Sequence, residues 1–311
     1  MNQLELDSLN LSVLKALDFF QKNPPTRFNS KKYTFPIVVG SGNAYNTGLA
    51  IFSDQKAIFA NESNFKVTLK RYQDLIKNKT ITHAVVISAS GEKDSVWEIK
   101  AAKKVGLKTV LLTCAPTSSA AKISEEIYSF RKLPEPYTYN TSTYLGMIMA
   151  ASQEKAEDIA KSILSLKLPS NFKKYQAYAF ILPDAWGPIA PMLEIKKSEL
   201  FGPMLSLRAF SEGEARHAKF IIRTKNELVI SFNKNEYFGD PKHRLIINPP
   251  QKAGKAWAMA VTYFLTGLIQ TSHTDYFRPN ISKFCTDYGY KAYPGAVSYT
   301  HLRAHETWLT I

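Results

Sequence analysis

Two short apolar runs, Phe35–Val39 and His83–Ile87, each break into a loop of small residues and glycine. The loops read Gly40-Ser41-Gly42 and Ser88-Ala89-Ser90-Gly91, and each opens a helical segment. A strand covered on both faces reads as a near-continuous apolar run, and parallel neighbours need a helical crossover between them. The repeated order of apolar run, tight small-residue turn and helix therefore restricts the chain to an α/β architecture with a parallel sheet. Further strands are expected at Ala57–Ala60, Lys108–Thr113 and Ile127–Phe130, with helices over residues 7–22, 69–77, 94–105 and a long stretch over 141–166. After Lys167–Lys174, which reads as a linker, the pattern partly recurs. Strands are expected at Tyr178–Leu182, Lys219–Arg223, Glu227–Phe232 and Leu245–Asn248. Helices are expected up to about Leu200 and over Ala256–Gln270. Val85–Ser88 and Leu228–Ser231 occupy similar strand-end positions, a weak internal repeat.

The expectation is two doubly wound, flavodoxin-type parallel-sheet subdomains, each a three-layer α/β/α sandwich. The boundaries are an N-terminal helix in 1–30, a first domain in 31–167 and a second in 175–296. Val297–Thr307 reads VSYTHLRAHET, which resembles the translation of a transposase sequencing adapter. Residues 297–311 are therefore expected to be read-through and are set aside, His301 and His305 with them.

Composition narrows the partners. Forty Lys and Arg against 26 Asp and Glu give a net charge of +14, which favours anionic ligands. The positive residues are dispersed and accompany no nucleic-acid-binding motif, so nucleic acid is not the expected partner. The longest apolar stretch, Ala256–Ile269, is too short to span a bilayer, and the N-terminus lacks the pattern of a secretion signal. A cytoplasmic protein without a membrane partner is expected. Cys114 and Cys285 have no metal-ligand spacing and are expected to be reduced thiols.

Three segments carry possible chemistry. Ser88, Ser90 and Gly91, with Lys93 just beyond, offer hydroxyls, backbone N–H groups and a charge at a strand's carboxyl end, a combination suited to a phosphate monoester. A plain Ser/Gly turn with a helix cap is the simpler alternative. Ser41, Gly42 and Asn43 also follow a strand. Gly40 and Gly42 fit the start of a dinucleotide fingerprint, but Tyr45 stands where its third glycine belongs, so a dinucleotide is not expected. Two such loops in one sheet point to a crevice at a topological switch point. Ser211–His217 sets Glu214 and His217 close enough to share acid–base work, or forms a solvated charged turn.

Together these segments resemble the sugar isomerase (SIS) domain family, most of all the isomerase half of glucosamine-6-phosphate synthases. Gly42–Gly48 (GNAYNTG) is similar to the family's G-T-S-Y-N-S-G. Ser88–Lys93 (SASGEK) is similar to S-Q-S-G-E-T, and Gly213–His217 (GEARH) to G-E-L-K-H. Thr274–Lys283 is similar to T-D-x-x-x-P-R-N-L-A-K, one residue shorter between Pro279 and Lys283. The likeness spans residues 35–285. It implies a phosphosugar isomerase, or a deglycase or deaminase of aminosugar phosphates, with no metal or organic cofactor. It also implies a homodimer with a shared active site. Ser41, Gly42, Asn43, Ser88, Ser90, Gly91 and Lys93 would hold the phosphate, and Asn140, Ser142 and Thr143 the sugar. His217 would assist ring opening from the neighbouring subunit, and Lys283 would close over the sugar.

The chain departs from the family at telling places. Ala44, Ala89 and Lys93 replace a serine, a glutamine and a threonine. Phe201 falls where the family's proton-transfer glutamate belongs in an ungapped alignment, with Glu199 two residues away and Glu194 further upstream. With no cysteine near Met1, no glutaminase domain is expected. The alternative is a sugar-phosphate-binding regulator without catalysis.

Overall fold

The computed structural model describes residues 5–136 and 138–288, without the side chains of 287 and 288. The chain divides into two compact units. One contains Asn23–Pro134, Ser142–Gln153 and the described residues from Lys283 on. The other contains the residues up to Lys22, Glu135–Thr141 and Glu154–Ser282.

The first unit holds a five-stranded sheet. Its strands are β1 (Ile37–Gly40), β2 (Ile58–Ala60), β3 (His83–Ile87), β4 (Lys108–Thr113) and β5 (Glu126–Ser129). They run β2-β1-β3-β4-β5 in space and every pair is parallel. β1 is buried throughout and β3 nearly so, as their unbroken apolar runs require, while β5 at the edge alternates between exposed and half-buried positions. Ile37, Val39, Ala84 and Val86 pack on one face with Phe65, Leu69, Ile99 and Ala102. These come from α3 (Phe65–Arg71) and α5 (Asp94–Lys104), with the short α4 (Gln73–Lys77) following α3. Val38, pointing to the other face, meets Gly48 of α2 (Asn43–Phe52): a Cβ at Gly48 would come within 2.8 Å of Val38 Cγ1. Helices therefore cover both faces.

The second unit holds a four-stranded parallel sheet with β6 (Ala177–Leu182), β7 (Ser206–Ser211), β8 (Glu227–Ser231) and β9 (Arg244–Ile246) in the order β7-β6-β8-β9. Counted along each sheet, this is the same second-first-third-fourth order as the first four strands of the other sheet. β3 and β8, the segments of the weak repeat, hold the same place in it. Ala179, Ile181 and Val229 face Ala215 of α9 (Glu212–Ala218) and Phe220. Elsewhere in this unit Trp186 and Trp257 each meet Phe232 edge to face and lie tilted against each other, with ring centroids 5.5–6.1 Å apart. Trp257 belongs to α10 (Lys255–Gln270), which is almost wholly buried. α1 (Leu9–Lys22) crosses α10 at Gly267, where an added Cβ would lie 1.9 Å from the Asn10 backbone nitrogen.

Both units keep parallel strands under helices, the expected three-layer class. Three local expectations are corrected. Lys219–Arg223 is not a strand: Lys219 and Phe220 have φ of 66° and 44°, and Ile221 and Ile222 are 87% and 75% exposed. The strand in this region is β7, which pairs with β6 along its whole length. The stretch 141–166 is two helices, α6 (Thr141–Ser152) and α7 (Ala156–Leu164), parted at Gln153 with φ of 61°. Residues 69–77 likewise belong to α3 and α4, broken at Tyr72. α8 (Ala190–Phe201) and α11 (Phe277–Tyr288) complete the helices among the described residues. The segment 297–311 lies outside the described residues.

Candidate functional site

β1 and β3 are neighbours whose chain connections leave toward opposite edges of the sheet, so the crevice between their carboxyl ends is a topological switch point. Both small-residue loops flank it. After β3, Ser88 Oγ accepts the Gly91 N–H at 3.1 Å and Ser90 Oγ accepts the Glu92 N–H at 3.3 Å. Both serines are half-buried and retain solvent access. A hydroxyl that accepts a backbone N–H still has its own O–H to donate. The loop is braced from β4: Thr113 Oγ1 donates to Ala89 O, Cys114 N–H donates to the same carbonyl, and Glu92 accepts the Ser119 N–H. Gly91 has φ of 61°, and a Cβ there would sit 2.0 Å from Ser118 Oγ, so only glycine fits.

After β1, Ser41 and Gly42 lead into α2, and Asn43 is buried in its first turn. The Asn43 Oδ1 acceptor has no hydrogen-bond donor, which is costly unless a ligand supplies one. Gly42 and Lys93 precede α2 and α5 with the same backbone conformation, φ/ψ of 54°/−122° and 56°/−122°. Lys93 is exposed, yet partial burial of its ammonium holds it below the ordinary lysine value, with Asp94 opposing. In the same unit Ser142 Oγ accepts the Leu133 N–H, and Thr143 is buried with its Oγ1 unpartnered. Lys283 is exposed on α11.

The second unit carries the other candidates. On α8, Lys196 is wholly buried and its Nζ donates to Glu199 Oε2 at 2.5 Å and to the Thr138 carbonyl at 2.6 Å. Thr138 and Asn140 have φ of 72° and 48°, and the hydroxyls of Thr138 and Thr141 are buried without partners. A buried cation, a part-exposed carboxylate and two unsatisfied hydroxyls thus gather around one strained loop, as sites that bind polar ligands do. Phe201, two residues on, is 1% exposed and belongs to the core. Glu194 instead ties α8 to β7 by accepting the Ala209 N–H at 2.9 Å. Glu214 and Ser211 form a capping box at the start of α9. His217, in the last turn of that helix, is exposed.

The second sheet has its own switch point between β6 and β8, and it is occupied from within. There Asp184 accepts the Gly213 N–H and Glu212 accepts Asn233; Arg244, which opens β9 at the amino end, donates to the carbonyls of Asn235, Phe238 and Gly239. Phe210 and Phe238 close over the sheet with Phe220.

One buried carboxyl lies outside these groups. Glu98 on α5 is 1% exposed, and its Oε1 has no partner. Burial, then the negative charges of Asp94 and Glu62, push it up to about 8.

No family model matches the chain, and no curated protein matches it. Solved structures do. The C-terminal domain of glucosamine-fructose-6-phosphate aminotransferase from Francisella tularensis superposes with a TM-score of 0.56 at 14% identity, over 86% of this chain and 94% of that one. Glucosamine-6-phosphate deaminase from Thermotoga maritima gives 0.54 at 14% identity over 89% and 95%. Tagatose-6-phosphate ketose/aldose isomerase from Escherichia coli gives 0.54 at 11% identity over 84% and 90%. The chain has the sugar isomerase fold. Within that fold the sequence had already marked the serine loop, Glu199 and His217. It had not marked Lys196, because a lysine inside an amphipathic helix reads as solvated. The only signal was its spacing, three residues before Glu199 on one helix face. No helix among the described residues is long and apolar enough to cross a membrane.

Proposed function

We propose that the chain binds a phosphorylated sugar and interconverts its aldose and ketose forms, or acts as a deglycase or deaminase on an aminosugar phosphate. The observation that carries this reading is the serine loop: two half-buried hydroxyls, each oriented by a backbone N–H, at the switch-point end of β3. Gripping the phosphate there supplies binding energy remote from the reacting carbons. Moving a proton between C1 and C2 needs a carboxylate, and Glu199 is the candidate. Lys196 fixes its geometry and offers a cation against developing oxyanion charge. His217 would open the sugar ring, and Lys283 would close over the bound substrate. Asn43, Asn140, Ser142 and Thr143 would contact sugar hydroxyls.

The working form is a homodimer in the cytoplasm, with His217 reaching the neighbouring subunit's site. Ile221 and Ile222, exposed just beyond α9, suit such an interface. Replacing both with Asp should yield a monomer by sedimentation and lower the exchange rate; an unchanged dimer would argue against this face.

A second reading is a sugar-phosphate-binding regulator. It is favoured by the ion pair that already engages Glu199 and by the core placement of Phe201. Incubation with fructose 6-phosphate or glucosamine 6-phosphate in deuterated water separates the two. Solvent deuterium entering the C–H position is expected of the enzyme, and binding without exchange of the regulator. Loss of neither binding nor exchange in Ser88→Ala/Ser90→Ala would refute the phosphate site.

A further inference from the structure

Lys93 occupies a backbone conformation that belongs to glycine. Its φ/ψ of 56°/−122° reproduces that of Gly42 at the equivalent place before α2, and there the residue is in fact glycine. For a residue with a Cβ this region carries steric strain, which persists where the surroundings hold it. Nothing structural accounts for a lysine here. Its side chain caps no helix end, and among the described residues it enters no ion pair; Asp94 is the single charge that bears on it. Its ammonium forms no ion pair among the described residues, and it belongs to the same loop as Ser88 and Ser90. Across the switch point, the buried acceptor of Asn43 likewise awaits a partner.

The neighbouring residues sharpen the point. Ala44 and Ala89 bring no side-chain donor to the two loops, so hydrogen bonding there comes from the neutral side chains of Ser41, Asn43, Ser88 and Ser90 and from the backbone. A cage of neutral donors accommodates a singly or a doubly charged oxyanion group. An ammonium at a fixed distance gains about twice as much from the doubly charged one.

Resting on the phosphosugar reading above, we propose that Lys93 is the charge selector of this site. It restricts ligands to sugar phosphomonoesters in the dianionic form and rejects isosteric monoanions such as sugar sulfates and phosphodiesters. The loop's strain is retained because it delivers the ammonium to the phosphate.

The test pairs binding with stability. Calorimetric titration at pH 7.5 compares glucose 6-phosphate, which carries close to two negative charges, with glucose 6-sulfate, which carries one. The wild-type chain should prefer the phosphate at least about tenfold, the equivalent of about 1.4 kcal/mol. Lys93→Met should bring the two ligands to within about twofold by weakening the phosphate alone. Lys93→Gly should lose the same preference yet melt about 2–4 °C above Lys93→Ala, because glycine relieves what alanine keeps. Lys93→Met with the wild-type preference intact would overturn the proposal. So would a Lys93→Ala variant that melts as high as Lys93→Gly. If the wild type binds neither ester, the phosphosugar reading fails and takes this one with it. If it binds the phosphate, loses it in Ser88→Ala/Ser90→Ala and keeps it in Lys93→Met, the charge selector alone is refuted.

Discussion

Glu98→Gln should make the protein more stable at neutral pH and erase much of its pH dependence. In the folded chain Glu98 keeps its proton up to about 8, against 4.5 for an ordinary glutamate. The unfolded chain therefore releases this proton at lower pH than the folded chain does. Its contribution to stability is full below about pH 4.5 and is lost as pH rises toward 8. Each unit of that window is worth about 1.4 kcal/mol, so the loss reaches about 3 kcal/mol by pH 7 and about 5 kcal/mol above pH 8. Glutamine keeps the shape and neutrality of the protonated acid. It should recover most of the pH 7 loss, less the cost of an amide group that also lacks a partner. Urea unfolding at pH 5, 6, 7 and 8 measures this directly. The wild-type midpoint should fall with pH while that of Glu98→Gln stays comparatively level, the two converging near pH 5. Parallel pH profiles would mean that the Glu98 carboxyl is hydrated or paired, and that the account of its burial is wrong.

Gly91→Ala should weaken fructose 6-phosphate binding at least tenfold by calorimetry, because the added methyl collides with Ser118 and the residue must hold φ of 61°. Unchanged affinity would show that the loop's shape is not needed. Gly267→Ala should destabilise the second unit by about 2–3 kcal/mol or more in urea unfolding, since the new Cβ meets the Asn10 backbone rather than a movable side chain. Lys196→Met, close to lysine in volume, should reduce deuterium exchange at least tenfold while leaving fructose 6-phosphate affinity within about twofold. Equal losses in both would point to a purely structural lysine.

The buried strands were legible because parallel pairing leaves them covered on both sides, and β1, β3, β4, β6 and β8 accordingly read as apolar runs. β7 was not. In Ser206–Ser211 only Leu207 and Ala209 are buried, and Arg208 reaches past β6 to pair with Glu227 of β8, so the segment carries no continuous apolar signal. Phe220-Ile221-Ile222 gives that signal and is no strand, because two of its three side chains face solvent. The break at Gln153 escaped notice for want of a glycine or proline to mark it. The serine loop was readable because its chemistry is local: two serines and a glycine lie in four consecutive residues, with a helix just beyond. Lys196 and Glu98 were not, since the burial of a charged side chain depends on what packs against its helix from elsewhere in the chain.

Duplicated strand order does not bring duplicated loop chemistry. At the second sheet's switch point, Asp184 and Glu212 are already bonded to the loops beside them. An oxyanion approaching that end would find no unengaged donor among these groups and would meet carboxylates. On the phosphosugar reading proposed above, calorimetry is expected to give one sugar ester per polypeptide, however closely the two halves of the chain echo each other.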